Sequence, residues 1–195
     1  MTRRPRLLAV VATLSAGALG IVASTQTWLD VALKAGGDAL SVAGAAAIPV
    51  LAPLCLATLA LGAALSIVGT ALRYVFGALS TAIAIALAAV TAPVAFQHPV
   101  SAVAAEVTKA TGIAGDASVT ALVAAITPTP WPVVSLALWV VLFAAGVFTL
   151  ATARAWQRAG RRYDAGGEHA KAADDTPLDA IDSWDELSRG QDPTG

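Results

Sequence analysis

Read for hydropathy alone, the chain consists of four long apolar runs, two polar stretches between them and a polar tail. The runs are "LLAVVATLSAGALGIVAS" (7–24), "AAAIPVLAPLCLATLALGAALSIVGT" (45–70), "YVFGALSTAIAIALAAVTAPVAF" (74–96) and "PVVSLALWVVLFAAGVFTLAT" (132–152). Roughly 20 helical residues cross the ~30 Å hydrocarbon layer. The pattern therefore predicts an all-α membrane protein, a four-transmembrane-helix bundle over 1–153 with external loops at 25–44 and 97–131, followed by a tail at 154–195. The first run is the shortest. Basic "RRPR" before it and Val22, Ala23 and Ser24 at its end also describe a secretory signal peptide. Its apolar part is long for a signal core, so retention is the preferred reading. Cleavage would leave three spans with everything downstream oriented as before.

The polar stretches carry patterns of their own. In "TWLDVALKAGGDALSV", Leu29, Val31 and Leu33 alternate with Trp28, Asp30, Ala32 and Lys34, and "AGGD" supplies a turn. That alternation predicts a short β-hairpin in the first loop. The second loop holds "SAVAAEVTKAT" and "ASVTALVAAI", both read as short helices, with Val103 and Val107 at helical spacing. Amphipathic helices lying at the outer interface fit both. A substrate-binding cap is the sharper but less favoured reading.

Composition strengthens the membrane reading. The chain is 57% hydrophobic and 13% charged, about half the charge of an ordinary soluble domain. Its mean hydropathy is +0.72. The cations decide orientation. Arg3, Arg4 and Arg6 precede the first run, Arg73 fills the connection between the second and third, and Arg154, Arg158, Arg161 and Arg162 follow the fourth. The alternate loops hold only Lys34 and Lys109, so the positive-inside rule places both termini in the cytoplasm. Trp28, Phe96 and Trp131 fall at the outer boundary, and Tyr74 and Trp156 at the inner one, as an interfacial aromatic belt requires. Trp28, Trp131, Arg154, Trp156, Arg158, Arg161 and Arg162 are accordingly the candidate membrane-anchoring residues. Trp139 sits mid-span and reads as a packing residue. Ala12, Ala16 and Gly20, like Gly62 and Ser66, repeat at four-residue spacing, which lets helices approach closely. A homo-oligomer stays open on the same pattern.

Catalytic and coupling chemistry is missing from the runs. No charged residue lies between Asp38 and Arg73, between Arg73 and Glu106, or between Asp116 and Arg154. Ionisable groups inside a membrane usually mark proton relays, ion paths or catalytic sites, so a proton-coupled pump and an intramembrane protease are disfavoured. No Walker loop, HExxH, GxSxG or CxxC appears. Cys55 is the only cysteine, which excludes an intramolecular disulfide. His98 and His169 are predicted on opposite sides of the membrane and cannot share a metal. The expectation is a non-enzymatic protein with no catalytic residues, no cofactor and no metal. The lipid bilayer is its first partner. Nucleic acid is an unsuitable one, since no extended basic surface exists to neutralise phosphates.

The tail is different in kind. Residues 164–175 are rich in Gly, Ala and Asp and read as a tether. Thr176 then suits an N-cap, Pro177 the first helical position, and Asp179 the third residue after the cap. Leu178, Ile181, Trp184 and Leu187 form an apolar stripe, and Arg189, Gly190 and Pro193 signal the stop. One amphipathic helix is predicted over 177–189. A free helix of that length is marginal in water, so its stripe calls for a surface to cover it. Nine carboxylates between 163 and 195, against Lys171 and Arg189, oppose docking on an anionic leaflet. A protein partner, met through Ile181, Trp184 and Leu187, is the preferred reading.

These pieces together resemble the bacterial tryptophan-associated transmembrane proteins. The resemblance rests on "STQTWLDV" after the first run, "ALSVAGAAAIPVLAPL" leading into the second, "RAWQRAGRRYD" after the fourth and, most specifically, "DSWDELSRGQDPT". Gln191 stands where that family commonly carries an acidic residue. The resemblance implies a multi-pass plasma-membrane protein linked to tryptophan biosynthesis, and the family offers no established catalytic or ligand-binding residues. The combined expectation is an adaptor that recruits a cytoplasmic partner through its C-terminal helix. The alternative is an uncoupled transporter component, or permease accessory, for tryptophan or an indole-type precursor.

Overall fold

The computed structural model describes residues 3–154 of the chain. Its elements are α1 (Arg3–Thr25), β1 (Thr27–Leu33), β2 (Leu40–Ala43), α2 (Gly44–Ala47), α3 (Leu51–Leu65), α4 (Thr70–Phe96), α5 (Ala104–Thr111), α6 (Asp116–Leu122), β3 (Val123–Pro128) and α7 (Trp131–Thr152), with a 3₁₀ turn at Val100–Ala102. Three helical segments are long and apolar enough to cross a membrane, namely Arg6–Thr25, Ala71–Phe96 and Trp131–Thr152.

The second apolar run departs from the expected continuous span. It breaks into the single turn of α2 and the longer α3, and α3 extends for about 22 Å at roughly 1.5 Å per residue. Pro49 causes the break. It forces the preceding Ile48 into extended backbone and cannot continue a helix. Pro53, by contrast, is the third residue of α3, where its missing N–H would have had no helical partner.

The long helices and α3 form one ring. Gly17 lies against Leu59 and Gly62 against Leu14, so α1 and α3 run antiparallel. Gly77 meets Leu150 and Gly146, and Trp139 reaches Thr91, so α4 and α7 are antiparallel as well. Gly20 meets Trp139 while Leu8 and Phe148 line one groove, which sets α7 antiparallel to α1. With α3 beside α4, the ring alternates direction at every step. Neighbouring helices in a bundle commonly pack in this antiparallel way.

Inward positions recur every three or four residues. On α4 they include Arg73, Gly77, Ser80, Ala84, Leu87, Thr91 and Val94; on α7, Pro132, Ser135, Trp139, Leu142, Gly146 and Thr149. Such a repeat keeps one seam facing its neighbour in left-handed packing. The two helices approach closely at Gly77 and Gly146: a Cβ on Gly77 would stand 3.3 Å from the Gly146 carbonyl oxygen, and one on Gly146 only 3.1 Å from the Gly77 oxygen. The inward hydroxyls of Thr13, Thr58, Ser135 and Thr149 donate to the carbonyls of Ala9, Leu54, Trp131 and Ala145, one turn back on their own helices. Polar groups thereby enter the interior without tying up a neighbouring helix.

The all-α expectation is incomplete, because one end of the bundle carries a three-stranded antiparallel sheet in the order β2-β1-β3. The expected hairpin is present as β1 and β2. Its turn uses Gly36 and Gly37, both at positive φ, a region that costs a residue with a Cβ. The third strand comes from the stretch expected to be helical. The helix ends at Leu122, and Val123–Pro128 pairs instead with the free edge of β1, Asp30 opposite Thr127 and Val31 opposite Ile126. Local helical spacing loses to a non-local ladder that satisfies the backbone of β1 on both sides.

Helix α5 corrects a second expectation. Val103 and Val107 are fully buried in the fold's own core together with Val119, Val31 and Val42. The apolar side of α5 is thus covered by protein and does not lie on lipid. Its outer side carries the Glu106–Lys109 ion pair at 3.0 Å.

Candidate functional site

Three places gather side chains worth testing as a site. The first is the junction of sheet and bundle. A register shift between Thr27 and Leu29 makes Trp28 a bulged residue, so Trp28 and Leu29 turn inward in succession in place of the strict alternation of a strand. Trp28 is fully buried, and its indole N–H donates to the Ala23 carbonyl at 2.8 Å. The ring lies on Gly44, where a Cβ would come within 2.6 Å of Nε1. The expected anchoring role of Trp28 at the headgroups is therefore overturned: it packs the junction and presents no surface to lipid.

Trp131 is half-buried at the first position of α7, against the same core. Thr129 joins the two tryptophan segments. Its N–H donates to the Trp28 carbonyl at 2.9 Å, its hydroxyl donates to the Thr27 carbonyl at 2.7 Å, and the Thr129 hydroxyl oxygen accepts the Trp131 N–H at 3.4 Å. Nothing in the local pattern around Thr129 signals this role, since its partners on β1 lie far away along the chain. The outer face of the sheet is polar: Ser41 stands opposite Asp30 and donates to its Oδ1 at 3.1 Å, and Thr127 completes the row.

The second place is a layer inside the bundle. Trp139 is 1% exposed, as its mid-span packing role requires, and its Nε1 donates to Thr91 Oγ1 at 3.1 Å. The far edge of its ring meets Gly20, which also abuts the Cys55 sulfur. One indole thus touches α1 and α4 from α7. Among the described residues, no three of His, Cys, Asp and Glu converge to hold a metal.

The third is the opposite, cationic end. Arg6 Nη2 donates to the carbonyl of Ser66, the residue that ends α3. Arg73 is nearly buried on α4, close enough to Arg6 for the two charges to repel. Arg154 is exposed just beyond α7. The four described carboxylates, Asp30, Asp38, Glu106 and Asp116, all belong to the sheet end. Of the small residues read from spacing, Ala16, Gly20 and Gly62 face neighbouring helices, Ala12 is half-buried and Ser66 is exposed. Trp156, Arg158, Arg161 and Arg162, and the tail stripe Ile181, Trp184 and Leu187, lie outside the described residues.

Long apolar helices, small-residue seams and a polar-faced sheet at one end define a multi-pass membrane protein. The chain belongs to the tryptophan-associated transmembrane protein family, whose model matches residues 10–194. Neither a curated protein nor a solved structure matches it.

Proposed function

We propose that this protein is a non-enzymatic, four-span adaptor of the plasma membrane, with both termini in the cytoplasm. In this reading, the tail recruits an enzyme of tryptophan biosynthesis through Ile181, Trp184 and Leu187. One observation carries it: the family match continues through the tail to residue 194. The tail therefore belongs to what the family shares, and it is the longest segment without a membrane-spanning composition. The family's own description supplies the link to tryptophan.

Topology supports α3 as the fourth crossing. Helices α1 and α4 both run antiparallel to α7. The chain must return between two helices of the same direction, and α3 is the segment that makes that return. Helix α3 alone is short for the hydrocarbon layer, and the 48–50 segment and the 66–69 turn make up the remaining depth. With Arg6, Arg73 and Arg154 at one end, positive-inside logic puts that end in the cytoplasm.

The test uses the full chain in its native membrane, with a photo-crosslinker in place of Trp184. The expected product joins the protein to a tryptophan-pathway enzyme. Trp184→Ala should reduce co-purification of that enzyme at least about tenfold, the loss expected when a buried aromatic anchor is truncated, while membrane content stays unchanged. Undiminished capture by the Trp184→Ala protein would sink the reading. So would saturable tryptophan flux in proteoliposomes of the purified protein, which is the transporter's signature.

A further inference from the structure

We draw no further inference here: the strongest candidate, the groove between Ala9 and Ala12 of α1 and Ala144 and Ala145 of α7, is an exposed apolar face, and nothing in the structure shows what covers it.

Discussion

In the bundle, small and hydroxyl residues such as Ala16, Gly20, Thr58, Ser80 and Gly146 face inward beside Leu87, Trp139 and Leu142, while Leu56, Val75, Ile85 and Val140 face out. In the sheet and the short helices beside it, Trp28, Val31, Val42, Val103, Val107 and Val119 face inward. There Asp30, Lys34, Ser41 and Lys109 stand on the surface or close to it. The two regions differ because they answer to different solvents. Lipid is as apolar as leucine, so helices in it gain little by burying large side chains; they gain by close backbone approach and satisfied hydroxyls. Water rewards the burial of large apolar area by about 25 cal/mol per Å², and the sheet end is built on that term. A single chain thus uses two packing rules that meet at Trp28 and Gly44.

The largest expected effect breaks the sheet end alone. Trp28→Ala removes a fully buried indole and its hydrogen bond, at a cost of about 4 kcal/mol. Hydrogen exchange in detergent should then show β1 and β2 amides exchanging rapidly while α4 and α7 stay protected. Loss of protection in both regions together would mean that the two are one cooperative unit.

A smaller effect sharpens the contrast of solvents. Val140 is 67% exposed and Ala32 is also exposed, so exposure alone predicts that both tolerate lysine. The solvent reading predicts otherwise. Val140→Lys should cost about 3 kcal/mol of membrane insertion, and Ala32→Lys should stay within about 0.5 kcal/mol. The inserted fraction in a glycosylation-mapping assay measures both. Equal tolerance would remove the distinction between the two surfaces.

The smallest effect probes the bundle interior. Trp139→Phe keeps most of the ring packing against Gly20 and loses the bond to Thr91, for about 1 kcal/mol by thermal unfolding in detergent. Thr91→Val should cost a similar amount, and the double variant little more than either single one. Full additivity would show that the Trp139–Thr91 bond contributes nothing of its own.

The candidate site divides along the same line between what is local and what is not. The cationic end, with Arg6 in the first turns of α1 and Arg154 just beyond α7, and the packing role of Trp139 were legible from position alone. The inward turn of Trp28 was not, because a bulge reverses the alternation that a strand pattern assumes. The Thr129–Thr27 and Arg6–Ser66 bonds join segments far apart in the chain, and no window of sequence contains both partners. The groove was illegible for another reason. Helices apolar on every side carry no polar stripe to show which face meets a neighbour, and only packing shows where two alanine faces fail to close.

What the sequence determined by itself is the existence of α1, α4 and α7, and the β1–β2 hairpin. The expected runs 7–24, 74–96 and 132–152 lie inside Arg3–Thr25, Thr70–Phe96 and Trp131–Thr152. A long apolar segment whose backbone must satisfy itself in lipid has no conformation but helix. The hairpin was equally constrained, by alternation on one side of a glycine turn. Tertiary structure alone decided the rest. It took Val123–Pro128 out of a helix and into the sheet, because β1 had an open edge to fill. It turned Trp28 from the membrane surface into the core. Each of these depends on which distant segment lies alongside, and that is settled only when the chain packs.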